Sequence, residues 1–401
     1  MSFLWGVDLG QPVRIAFVYF DAGGGHRSAM EALCEVVERQ RRPWTSIPVD
    51  FQQILLPYDP FHQIGKVPFS EIYTRSIGTR WTALATPGIH VLHAVIRARH
   101  KTIVKVVSDY WRKNPVDLVV SVIPNFNRHQ SIAVREALPG VPFVTLITDF
   151  ADLPHMWMDR ESEYVICGTE RAVQQARALG HDADHVFATS GMIVRPQFYD
   201  VASVDRASEH RARGLDPDLP TGLVLFGGGG SSVMLDIAER LEHYPHDLQL
   251  IFICGRNQAV ADRLRSRKSR HRFFVEGFTR EVARYMRMSD FLIGKPGPGC
   301  ISEALACEIP VIVECNLFTL PQERYNAQWV SERKLGIVVR SFGEITSAVA
   351  QLLKDPCYRN NARQVRNRAL FEVPDILQTI LERHGIAASA GGNRLAHPLQ
   401  A

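Results

Sequence analysis

Strand-length apolar runs recur along the whole chain and alternate with stretches of helical period. In the first half the runs fall at 13–20 (VRIAFVYF), 45–50, 116–122 (VDLVVSV), 141–147 (VPFVTLI), 163–167 and 185–189. The second half repeats the rhythm at 222–226, 248–254, 272–276, 290–294, 310–314 and 336–339. Short Val/Ile/Leu runs without polar alternation read as strands buried on both faces, as in a parallel sheet. Helical patterns lie between them at 27–40, 126–138, 169–180, 232–243, 257–269, 300–308 and 343–353. In 27–40, Ala29, Met30, Leu33, Val36 and Val37 share one face.

Two successive β/α sets predict an α/β protein of two Rossmann-like domains, 1–200 and 201–386. The seam is expected where a polar stretch, Val201 to Arg213, runs into the turn cluster Gly214 to Gly222. Residues 387–401, rich in Ala and Gly, are expected to be a disordered tail. A single (β/α)8 barrel is the alternative; about twelve strand candidates and the polar break argue against it.

The 401 residues are 46% hydrophobic and 22% charged with a net charge of +4, which excludes collagen, coiled-coil and wholesale nucleic-acid-binding classes. Seven scattered cysteines show no metal-ligand spacing and fit buried thiols in a reducing compartment. The N-terminus has no signal-peptide pattern and no run reaches the ~20 apolar residues of a spanning helix, so a cytoplasmic location is expected.

Four motifs sit at strand-to-helix turns. Asp21-Ala22-Gly23-Gly24-Gly25-His26 closes the first strand, where glycines allow close backbone approach and a helix N-terminus presents free N–H groups. A neutral imidazole at His26 can take a proton from an attacking hydroxyl; a tight turn with an incidental histidine is the plainer reading. Gly227-Gly228-Gly229-Gly230 opens the second domain but lacks the G-x-G-x-x-G spacing. Lys295-Pro296-Gly297-Pro298-Gly299-Cys300 precedes a helix and suits a diphosphate, without being a Walker A loop. Glu303 lies in the first turn of that helix, placed for ribose hydroxyls or simply favoured by the dipole. Gln322-Glu323 with Asn326 can bind vicinal hydroxyls of a sugar, or cap a helix. Asp182-Ala183-Asp184 matches the metal-binding D-x-D pattern but lies in a polar connection, and reads as a solvated loop.

Taken in order, Gly23–Ala29, Thr148-Asp149-Phe150, Gly191-Met192-Ile193-Val194-Arg195-Pro196, the glycine run, Lys295–Gly299 with Glu303, and Gln322-Glu323 with Asn326 resemble the monogalactosyldiacylglycerol synthase family. Its relatives, the bacterial diacylglycerol glucosyltransferases and MurG-type transferases, share the pattern, and the resemblance runs from about residue 13 to 340. It implies a GT-B fold, two domains facing a cleft, and inverting, metal-independent transfer from UDP-galactose or UDP-glucose to a lipid such as diacylglycerol. No cofactor is implied beyond the UDP-sugar. The resemblance further implies that the loop around Gly277-Phe278 holds uracil and Glu303 the ribose. Gly297, Gly299 and Cys300 with Gly228 and Gly229 take the diphosphate, Gln322 with Glu323 the sugar, and Asn326 is a further donor-site residue. His26 becomes the base, with Asp149 a second polar group in the cleft. Pro296, Cys300 and Pro321 stand where plant-type synthases have Ala, Thr and Gly, which leaves the hexose open. A nucleotide-sugar epimerase or a catalytically silent nucleotide-sugar or lipid-binding regulator is the alternative.

The charge is unevenly spread. Residues 61–113 hold nine Lys/Arg against two acids, +7, leaving −3 elsewhere. Phe61, Phe69, Tyr73, Trp81, Tyr110 and Trp111 are interleaved with them. Such a segment suits an anionic membrane surface, placing the protein peripherally on the inner face of the membrane. With no nucleic-acid module beside it, an RNA partner is not expected.

Overall fold

The computed structural model describes residues 12–20, 24–58, 96–154, 157–200 and 205–386. The first sheet contains β1 (Val13–Tyr19), β2 (Trp44–Asp50), β3 (Leu118–Ser121), β4 (Phe143–Leu146), β5 (Tyr164–Cys167) and β6 (Val186–Ala188). All are parallel, in the order β2-β1-β3-β4-β5-β6. The helices α1 (Gly25–Arg39), α2 (Phe51–Leu55), α3 (His100–Lys113), α4 (Asn127–Ala137) and α5 (Glu170–Ala178) connect them. β3, β4 and β5 are buried throughout, as unalternating apolar runs require. β2 carries Pro48 opposite Phe17, and this is an edge strand, where a missing N–H breaks no ladder bond.

After α6 (Arg206–Ala212), the second sheet repeats the plan. β7 (Thr221–Leu225), β8 (Gln249–Ile253), β9 (Arg272–Glu276), β10 (Phe291–Gly294), β11 (Val311–Glu314) and β12 (Gly336–Val339) are parallel, in the order β12-β11-β10-β7-β8-β9. Their helices are α7 (Val233–Leu241), α8 (Gln258–Arg265), α9 (Val282–Met288), α10 (Pro298–Ala306), α11 (Pro321–Glu332) and α12 (Ile345–Lys354). Strand order reverses between β1 and β3 in one sheet and between β7 and β10 in the other. Ligands of doubly wound sheets bind in the crevice at such points, beyond the carboxyl ends of the strands.

Three features differ from the sequence expectation. The polar stretch 201–213 contains α6, whose buried His210 bonds the Thr221 hydroxyl at 3.0 Å. After α13 (Cys357–Gln364), α14 (Ala369–Arg383) leaves the second domain and packs on the first. Val373, Leu377, Ile380 and Leu381 join Val13, Ile15, Leu33 and Leu118 in one core, so residues 369–383 belong to the first sheet although 201–386 was read as one unit. Trp111, counted above among surface aromatics, is fully buried with Val107 and Phe143, because α3 turns its apolar stripe inward. Residues 61–95 of the basic segment, the 387–401 tail, and Asp21 to Gly23 lie outside the described residues. Among the described residues, no helix is long and apolar enough to cross a membrane.

The two domains share a core. Ile147, Phe150 and Trp157 from the first cluster with Leu223, Ile301 and Tyr325 from the second. Phe150 meets Trp329 edge-on at 4.9 Å between ring centroids, and the Arg171 guanidinium lies 4.4 Å over Tyr325. The carboxyl ends of both sheets therefore open toward one cleft.

Candidate active site

The first-domain wall of the cleft is built from the turns after β1 and β4. Gly24 precedes α1 with φ of +82°, a conformation that favours glycine, and lets His26 enter the first helical turn. Thr148 Oγ1 lies 3.2 Å from His26 Nδ1, and the Trp157 ring stands 5.9 Å from the imidazole. Burial lowers the His26 pKa to about 4, although the Val122 carbonyl works in the opposite direction; the ring is neutral at physiological pH. Asp149 accepts a hydrogen bond from Trp157 Nε1 at 3.2 Å. Burial, reinforced by the negative charge of Glu323 across the cleft, raises its pKa to about 6, against the opposing pull of Trp157 and Lys295.

The second-domain wall comes from the turns after β7, β10 and β11. In the glycine run, Gly230 has φ of +66°, and a Cβ there would lie 2.1 Å from the Cys254 carbonyl oxygen. The Gly228 carbonyl accepts from Arg256 N at 2.9 Å, which ties the run to the β8–α8 turn. Gly229 is exposed and has nothing within 4 Å of where its Cβ would be, so the run keeps one open face. Phe278 is 55% exposed beside it, with Arg256 5.0 Å over the ring. A half-exposed aromatic ring at this edge is a surface on which a base can stack.

Gly297 caps α10 and Pro298 occupies its first position, so the N–H groups of Gly299 and Cys300 have no partners within the helix. Burial pushes the Cys300 thiol up to about 12, keeping it neutral beside this positive helix end. One turn on, Glu303 is 18% exposed, with Arg195 3.9 Å away. Burial raises its pKa to about 7, only partly countered by Arg195. Lys295 reaches Glu323 at 3.4 Å in the first turn of α11, and Gln322 sits beside it, half-buried. Asn326 is fully buried; its Nδ2 donates to the Pro296 carbonyl at 2.9 Å, so it holds the Lys-Pro-Gly-Pro-Gly turn from beneath.

The structure thus gathers His26, Asp149, Glu303, Gln322 and Glu323 with the Gly297–Cys300 turn at facing sheet edges. The Asp182–Asp184 segment stands apart in a one-turn helix, where the Asp184 carbonyl accepts from Arg383. Among the described residues no three His, Cys, Asp or Glu side chains converge as for a metal. Sequence reasoning missed Trp157, which touches both polar groups of the first wall, because it belongs to no local motif. Arg195 was in view within Gly-Met-Ile-Val-Arg-Pro, but only folding shows that it faces Glu303.

Comparison with known proteins bears on this arrangement. Residues 223–380 match the glycosyltransferase family 28 C-terminal domain. The monogalactosyldiacylglycerol synthase of Spinacia oleracea is 28% identical over 356 residues, covering 85% of this chain and 66% of that enzyme. A probable synthase of Glycine max is 27% identical, covering 94% and 73%. Among solved structures, MurG of Acinetobacter baumannii superposes with a TM-score of 0.60 at 14% identity, over 92% of this chain and 100% of that one. The calicheamicin glycosyltransferase CalG4 gives 0.59 at 16%, over 93% and 99%. At such identities these structures establish the fold alone. The chain spans about two thirds of the spinach enzyme's length. The fold is GT-B, residues 223–380 match the family 28 glycosyltransferase C-terminal domain, and over most of its length the chain is similar to the monogalactosyldiacylglycerol synthases.

Proposed function

We propose that this protein is an inverting, metal-independent hexosyltransferase that moves galactose or glucose from a UDP-sugar to a lipid hydroxyl, with diacylglycerol as acceptor. The observation that carries the reading is the pairing of the two walls. Phe150, next to Asp149 after β4, packs edge-on against Trp329 of α11, the helix whose first turn carries Gln322 and Glu323.

The chemistry follows from the geometry. Uracil stacks on Phe278, ribose hydroxyls donate to Glu303, and the diphosphate lies at the Gly299 and Cys300 N–H groups beside Gly228 and Gly229. Gln322 and Glu323 hold the hexose hydroxyls, and Asn326 keeps the diphosphate turn in place. The acceptor oxygen attacks the anomeric carbon from the first-domain side, and its proton passes to neutral His26. The bond to the phosphate oxygen breaks with its electron pair leaving on UDP, so configuration inverts. Fixed dipoles at a helix N-terminus stabilise the departing negative charge without reorganising, the role a metal plays in other transferases. An arriving diphosphate and the ionised Asp149 both raise the proton affinity of His26, bringing a weak base toward its task.

The basic segment 61–113 is the surface we assign to an anionic membrane, which would hold the enzyme peripherally on the cytoplasmic face. In its described part, Arg97, Arg99, Lys101, Lys105, Arg112 and Lys113 are exposed, while Val104, Val107 and Trp111 face the core. The test is direct. Labelled UDP-galactose or UDP-glucose is incubated with liposomes containing diacylglycerol or ceramide, and lipid extracts are resolved. Labelled glycolipid of inverted anomeric configuration is expected. Donor that is bound or epimerised while no lipid is labelled would overturn the transferase in favour of an epimerase or a binding protein.

A further inference from the structure

The described residues carry four exposed large apolar side chains: Tyr58, Phe278, Leu317 and Phe318. Single ones are ordinary on any surface. Leu317 and Phe318 are adjacent, 87% and 61% exposed, on the turn between β11 and α11. Neither the family motifs nor the donor site uses them.

This turn is held by its own hydrogen bonds. Phe318 N donates to Asn316 Oδ1 at 2.8 Å, and Asn316 N to Thr319 Oγ1 at 2.9 Å. Asn316 Nδ2 donates to Glu314 Oε1 at 2.8 Å and to the Arg340 carbonyl at 3.3 Å. Arg324 closes the turn from the other side, donating to the Thr319 and Leu317 carbonyls at 3.2 Å each. The two apolar side chains are therefore displayed by a fixed backbone.

Charge around the tip selects the partner. Arg324 directs Nε and Nη2 at main-chain carbonyls, among the described residues no carboxylate pairs with it, and exposed Arg340 lies beside the turn, its carbonyl accepting from Asn316. Glu314, the nearest acid along the chain before the turn, points inward and accepts from Asn316 Nδ2 and Phe342 N. Two apolar side chains beside guanidinium groups match an anionic lipid surface: hydrocarbon under the tip, phosphates beside it.

We propose that the Leu317–Phe318 turn inserts into an anionic lipid surface, giving the second domain its own membrane contact next to the sugar subsite. Glu323 lies five residues beyond Phe318, so insertion brings the hexose end of the donor site to the interface. That consequence rests on the lipid-acceptor reading; the insertion itself does not.

The full chain and a Leu317→Ser/Phe318→Ser variant are floated with phosphatidylcholine vesicles, with and without phosphatidylglycerol. Loss of the two apolar contacts lowers partitioning to the anionic vesicles by about tenfold or more. Binding of UDP stays unchanged. Transfer to vesicle-borne diacylglycerol falls, while transfer to a dispersed short-chain diacylglycerol does not. A separate Phe318→Trp variant adds an indole whose emission shifts to the blue and is quenched by brominated acyl chains. Unchanged partitioning with an unquenched indole overturns the proposal. So does self-association that the double substitution abolishes while vesicle binding persists, since the tip then meets a second copy. Should the parent protein form no glycolipid with either acceptor, the functional reading fails, and flotation still decides whether the turn inserts.

Discussion

Glu303→Gln separates the cost of the donor site from its use. Burial raises Glu303 from 4.5 to about 7, so its ionised form at pH 8 costs the folded state about 3 kcal/mol. The side chain is 18% exposed and Arg195 stands 3.9 Å away, which reduces the recoverable part to about 1–2 kcal/mol. Glutamine keeps the shape and removes the charge. At pH 8 the variant should melt roughly 2–6 °C above the parent in scanning calorimetry. The sign with pH is fixed: a carboxyl whose pKa is raised by folding favours the folded state at low pH and loses that contribution as pH rises through about 7. The advantage of glutamine must therefore shrink as pH falls below 7 and vanish near 4.5. UDP affinity should drop at least tenfold, because a charge-assisted acceptor for ribose is gone. A variant no more stable than the parent at pH 8, or a difference that does not change with pH, would refute the assigned electrostatics.

Other perturbations probe the rest of the cleft. His26→Ala should lower transfer by about 10²–10⁴-fold while UDP binding measured by calorimetry stays near the parent value. Trp157→Phe keeps an aromatic ring near His26 but deletes the bond to Asp149. The acid limb of the kcat/KM profile should move upward from near 6 by about one pH unit, and an unmoved limb would detach Asp149 from the reaction. Gly230→Ala forces a Cβ against the Cys254 carbonyl at positive φ; a loss of about 2–4 kcal/mol in urea unfolding and weaker UDP binding are expected.

Much of this was legible in the sequence, because buried parallel strands announce themselves as unbroken apolar runs. All twelve expected strands are present, since VRIAFVY and LQLIFI each carry one charged or amide residue, Arg14 and Gln249, in an otherwise apolar run. The motifs could be placed because each follows such a run, and the carboxyl end of a parallel strand is where ligands bind. What resisted reading was relational. Trp157, Arg195 and Lys295 matter through partners eight to 131 residues away. Helix α14 has an ordinary amphipathic pattern that says nothing about which sheet it covers. Trp111 looked like a surface aromatic because charge density was averaged over 61–113 without regard to helix phase.

The return of α14 to the first sheet has a consequence for biosynthesis. Val373, Leu377, Ile380 and Leu381 complete a core that begins at Val13. On the ribosome, the first domain must wait, with an apolar face uncovered, until some 180 further residues have been made. The second domain, whose sheet is contiguous from 221 to 339, has all its strands before then. The first half of the gene product is thus the last to reach its final packing. A nascent chain cut short before residue 369 would carry a complete second sheet beside a first domain lacking part of its core.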